Sequence, residues 1–219
     1  MAFNKVIPGQ RDFRDYVYRL RWYLLAIVIT FVAFAAIGYL VGLLDPSFTQ
    51  QIISGFKNDV GPLRQVSPLD LMMGIFANNV IKCFMVVVLG LGAGVAPLLF
   101  IVANGLMIGD VVGYSVGRGG LLYVLVGMLP HGVVEMPMVF LSGAIGLKLG
   151  TDILRSLGRA VLDAVRGPGS DAGRKKIELL KDIREALLIF AFWVAPLLLV
   201  AAFLETFVTG TLLYVLFAH

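Results

Sequence analysis

The chain has 219 residues, 59% of them apolar and only 15% charged. Its mean hydropathy is +0.91, which is too apolar for one water-soluble core, because most residues of a small domain touch its surface. That excludes a soluble enzyme domain and leaves an all-α polytopic membrane bundle; the net charge of +4 lies at the ends of apolar runs, which points to a lipid bilayer and not to nucleic acid.

Residues 1–21 form a basic segment in which Arg11, Arg14, Arg19 and Arg21 alternate with a stripe of Phe13, Val17 and Leu20. The spacing predicts an amphipathic interfacial helix leading into the membrane. Nothing before it reads as a cleavable signal. The first span runs from Trp22 to Leu44, long enough to cross a bilayer, and Asp45-Pro46 stops it. Residues 45–67 read as a polar loop with Ile52, Ile53, Phe56 and Val60 along the headgroups. Ser67-Pro68-Leu69-Asp70 then supplies an N-cap, a first-turn proline and an acid at N3, which together start a helix.

From Leu71 to Gly150 the chain is almost continuously apolar, so punctuation divides it. Breaks near Gly94–Pro97 and at Gly117-Arg118-Gly119-Gly120 give a second span at about 69–95, a third at about 98–116 and a fourth at about 121–147. Pro130-His131-Gly132 predicts that the fourth is broken or kinked in mid-membrane. Residues 148–184 form a basic amphipathic segment, with Ile153, Leu157, Val161 and Ala164 on one face and a stop at Gly167-Pro168-Gly169-Ser170. Residues 185–219 hold the last span, interrupted by Pro196 and by Glu205-Thr206, and its final eleven apolar residues are too few to cross back. Five spans place both basic segments, 1–21 and 148–184, on one side. The positive-inside rule makes that side, and the N-terminus, cytoplasmic, in a cell membrane.

Gly105, Gly109, Gly113 and Gly117 recur every four residues, and Ser142, Gly146 and Gly150 repeat the pattern. Small-residue stripes let helix backbones approach in lipid. The expected partner of the third span is the fourth, with a homodimer seam as the alternative. The lone Cys83 gives no disulfide framework or thiol metal cluster.

Polar side chains inside the spans cost roughly 2.5–3.5 kcal/mol when charged and face a partner or a watery cavity. Asn78, Asn79 and Lys82 fall in the second span, Asn104 and Asp110 in the third, His131 and Glu135 in the fourth and Glu205 in the last. Helical rise places Lys82, His131 and Glu135 about 15–21 Å from the outer ends of their spans, in mid-membrane. Asn78 and Lys82 share a face, as do His131 and Glu135. The simplest arrangement is a Lys82–Glu135 ion pair completed by His131 and an asparagine. Asp110 and Glu205 are expected nearer the outer surface, close to water. The cluster reads as a device that fixes helix register, as an ion or proton path, or as a metal site on His131, Glu135 and Glu205. The sequence names no cofactor, and no catalytic constellation accompanies Ser115 or Ser142.

Asn78-Asn79, Asn104-Gly105 with Gly109, the run Pro130-His131-Gly132-Val133-Val134-Glu135 and the late Leu204-Glu205 resemble the stage II sporulation protein M family of integral membrane proteins, over about residues 70–217. The resemblance implies a multi-span helical protein that works as a non-enzymatic membrane scaffold or assembly component, with other membrane proteins or with itself. In spore formers the namesake acts with a peptidoglycan hydrolase and another membrane protein during engulfment. Relatives in organisms that make no spores leave the process open. The resemblance also implies that Asn78, Asn104, His131, Glu135 and Glu205 belong to one intramembrane site. A small transporter with a path past His131 and Glu135 is the alternative, and a membrane-embedded metalloenzyme the third.

Overall fold

The computed structural model describes residues 7–45, 47, 49–50, 67–118, 120–166 and 172–217. The expected contacts of Ile52, Ile53, Phe56 and Val60, and the stop at 167–170, lie outside these residues. The described chain is helical: α1 (Gln10–Arg19), α2 (Arg21–Leu44), α3 (Pro68–Leu89), α4 (Val95–Val116), α5 (Leu121–Arg166), α6 (Ala172–Ile189), α7 (Ala195–Phe203) and α8 (Gly210–Phe217). Wider π turns at Phe190–Val194 and Leu204–Thr209 join the last three. Five stretches are long and apolar enough to cross a membrane: Arg21–Leu44, Pro68–Leu89, Val95–Val116, Leu121–Leu162 and Glu178–Phe217.

Local chemistry explains most boundaries. Ser67 caps α3 by accepting the Asp70 amide at 3.2 Å, with Pro68 in the first turn. Between α3 and α4 the chain turns through Ala93 and Gly94, both at positive φ (65° and 76°), a conformation that glycine adopts freely and alanine does not. The fourth span is not broken: α5 runs uninterrupted through Pro130 and Pro137 and on to Arg166. The first amphipathic stretch of 148–184 is therefore the continuation of that helix. The last stretch does not turn back either. Its π turn at Phe190–Val194 sits just ahead of Pro196, which lacks the amide an α-helix needs there. At its far end Phe217 meets Tyr123, at the start of α5, with ring centroids 5.2 Å apart.

The third-span glycines pack on the first span, not the fourth. A Cβ at Gly105, Gly109 or Gly113 would strike the carbonyl oxygens of Phe31, Ala35 and Tyr39 on α2. In return, Cβ atoms at Gly38 and Gly42 would strike the carbonyls of Leu106 and Asp110 on α4. The reason is reciprocity: α2 carries its own small pair, Gly38 and Gly42, so two stripes interlock. Gly117 is less tightly packed: a Cβ added there would lie 3.6 Å from the Leu43 side chain, an ordinary contact. Gly146 and Gly150 serve a second seam, where Gly146 meets the Val86 carbonyl and Gly150 the Gly90–Gly94 turn. Ser142 turns its hydroxyl onto its own helix, donating to the Met138 carbonyl at 2.8 Å.

At one end of the bundle the two basic segments meet. Arg19 pairs with Glu185, Lys148 bridges Asp152 at 2.7 Å and Asp182 at 2.9 Å, and Tyr23 meets Thr151 at 3.0 Å. The apolar stripe of α1 faces protein at this end: Leu20 is fully buried, and Phe13 stacks on Trp193 at 4.4 Å. The Trp193 indole donates to the Pro8 carbonyl at 3.1 Å.

Candidate functional site

The site forms where α5 faces the second π turn. His131 and Glu135 are four residues apart on α5, so both project from one face. The π turn Leu204–Thr209 carries Glu205, Thr206 and Thr209. A π turn inserts a residue into the helical register, and such turns gather at functional sites. One ligand atom from each of His131, Glu135 and Glu205 lies within 4.8 Å of the others, and all three residues are half-buried. Thr209 is buried, and its Oγ1 lies 3.3 Å from His131 Nδ1. The Thr206 hydroxyl oxygen, beside Glu205, is buried with no hydrogen-bond partner among the described residues.

The depth of the site follows from its neighbours. Phe31 on α2 packs edge-on against Phe140 of α5 at 5.0 Å, so Glu135, five residues toward the start of the antiparallel α5, is level with about Ala36, in the half of the span that ends at Leu44. Glu205 is brought level with Glu135, because the last stretch lies along α5.

The other polar residues do not join this group. Lys82 is exposed and makes no ion pair with Glu135, although it is close enough to act on it through its field. The physical reason is its long stem, which lets an ammonium leave an apolar site. Asn104 donates to the Phe100 carbonyl of its own helix at 2.7 Å. Asn78 is exposed and donates only weakly to Asn79, at 3.4 Å. Asp110 is buried, 2% exposed, beside Gly42 near the end of α2. It accepts from the Thr49 hydroxyl at 2.9 Å, and its other oxygen has no partner among the described residues.

Thr206 and Thr209 are the members that sequence reasoning missed. Glu205-Thr206 with Thr209 in an otherwise apolar run was the available signal, since Glu205 and Thr209 share a helix face.

A family model described as Stage II sporulation protein M matches residues 24–210. No curated protein and no solved structure matches the chain.

Proposed function

The chain belongs to the stage II sporulation protein M family, a family of multi-pass membrane proteins, and from that premise we propose that it is a non-enzymatic assembly component of a membrane complex, with its N-terminus in the cytoplasm. One observation carries this reading. Asn78 lies at the midpoint of α3 with its side chain exposed, where lipid offers neither donor nor acceptor. A short amide cannot reach a headgroup as a lysine can. A second transmembrane segment satisfies it, and asparagines join such helices. Because an amide both donates and accepts, the same residue on a second copy is its natural partner across a two-fold axis. The orientation rests on the basic segments, which share one end of the bundle and obey the positive-inside rule if that end is cytoplasmic.

The test is cysteine cross-linking in membranes, with Cys83→Ser as background. Ile81→Cys, exposed one turn from Asn78 on the same face of α3, is expected to trap a homodimer, while Ile29→Cys, also exposed on α2, does not. Asn78→Leu should leave the chain folded and monomeric. Equal cross-linking from positions 81 and 29, or an unchanged dimer with leucine, overturns the proposal.

A second reading, a small transporter with a cation path past His131 and Glu135, is favoured by the convergence of those residues with Glu205. It requires flux in proteoliposomes that Glu135→Gln abolishes.

A further inference from the structure

We infer that His131, Glu135 and Glu205 form a binding site for one divalent transition-metal ion of the zinc type. This site is independent of how the chain assembles. One imidazole and two carboxylates make a set that suits zinc and its first-row neighbours, whereas calcium and magnesium take oxygen ligands alone. Ligand atoms around a tetrahedral zinc, at about 2.0–2.1 Å from the ion, are separated by about 3.4 Å. The three here lie within 4.8 Å of one another, so they must draw together by at most about 1.4 Å to reach that spacing.

Three further features favour a cation at this position. Two carboxylates held this close within membrane spans repel, and charges there are tolerated when paired. The lysine that the sequence offers as counter-charge, Lys82, makes no ion pair with Glu135. Thr209 holds the Nδ1 side of the His131 ring, as outer partners of metal-bound histidines commonly do, which leaves Nε2 to face the ion. The Thr206 hydroxyl, buried without a partner beside Glu205, adds a polar oxygen to the same turn. Three protein ligands leave a fourth position for water, or for a group from another molecule.

The experiment uses the full chain, without an affinity tag, purified in detergent, stripped with chelator and titrated with Zn²⁺. Metal content is read after desalting, and Co²⁺ substitution reports the ligand field. Wild type is expected to retain one Zn²⁺ per chain and to show the visible bands of a low-symmetry Co²⁺ site. Glu135→Gln and Glu205→Gln, both near-isosteric, should each weaken binding at least ten-fold, and His131→Ala similarly. Lys82→Met removes a nearby positive charge and should tighten binding several-fold, an effect that a purely structural polar cluster would not produce. His219→Ala, which removes the chain's only other imidazole, should change nothing. Zinc raises the melting temperature of wild type but not of the glutamine variants, so a misfolded variant is told from one that is folded but metal-blind. Absence of stoichiometric zinc in wild type, or equal retention by the Glu135→Gln/Glu205→Gln double variant, overturns the assignment. Asn78→Leu should bind zinc normally, which separates failure of this site from failure of assembly.

Discussion

Thr209 holds His131 from across the site: its hydroxyl oxygen, on the π turn, lies 3.3 Å from Nδ1 of a histidine seventy-eight residues earlier on α5. The contact joins the two helices that carry every member of the cluster. It also orients the imidazole, since a ring whose Nδ1 is engaged presents Nε2 to the opposite side.

Thr209→Val keeps the shape and removes the hydroxyl. Outer partners of a ligating histidine typically contribute 10–100-fold to metal affinity. We expect zinc binding by Thr209→Val to weaken within that range, with the stoichiometry and the helical content intact. Thr209→Ser should restore most of it. Titration of the three proteins in the same detergent decides the matter, and an unchanged affinity in the valine variant would remove Thr209 from the site.

The α2–α4 seam predicts that single methyl groups are not tolerated there. Gly109→Ala places a Cβ onto the Ala35 carbonyl, so the helices must separate. Overpacking of this kind costs about 1–3 kcal/mol or more, and Gly109→Leu should prevent folding. Gly158→Ala is the contrast, because Gly158 is exposed in α5 with nothing within 4 Å of the added Cβ. There alanine should stabilise by up to about 1 kcal/mol through helix propensity. Melting curves in one detergent measure both; a Gly109→Ala variant as stable as wild type would count against the interlocked seam.

Much of this architecture was legible in the residues. The Ser67-Pro68-Asp70 start, the basic ends and the apolar lengths are local signals, and the helices follow them. The Gly105, Gly109, Gly113 stripe announced a close helix contact, but not its partner, because pairing is decided by the complementary small residues Gly38 and Gly42 elsewhere in the chain. Pro130 was misleading in one respect: α5 passes through it unbroken, since neighbouring helices can support a proline in a membrane helix. His131 and Glu135 were visible as an i, i+4 pair. Their meeting with Glu205 depends on how the last helix lies along α5 and on its π turns, which spacing alone does not encode. Charge and depth pair Lys82 with Glu135, but neither determines where a long flexible stem points.

Alkaline pH should expose the packing of α1. Burial pushes the Tyr16 phenol well above its ordinary value near 10, helped by the nearby carboxylates of Asp182 and Glu185. The unfolded chain therefore loses this proton at lower pH than the folded chain does. The resulting stability is fully present below about pH 10 and is lost as pH rises beyond it. Tyr16→Phe should show a shallower fall in melting temperature above pH 10 than wild type does. Identical pH profiles for the two proteins would mean that the phenol is hydrated in the folded state.

The Arg19–Glu185 pair ties α1 to the start of the last span, and its two ends differ: the Glu185 side chain is 6% exposed and that of Arg19 37%. Removing the more exposed partner should therefore cause the greater damage. Arg19→Ala leaves a buried carboxylate without its guanidinium, whereas Glu185→Gln replaces the charge with a neutral amide and leaves Arg19 able to turn to water. Breaking a fully buried pair costs about 3–5 kcal/mol. Discounting for the solvent that reaches Arg19 gives about 1–3 kcal/mol for Arg19→Ala, and less for Glu185→Gln. The double variant should recover part of the loss, because the buried charge is gone. If Arg19→Ala costs no more than Glu185→Gln, or the double variant is merely additive, the pair acts as a surface ion pair and α1 is held instead by Phe13, Leu20 and Trp193.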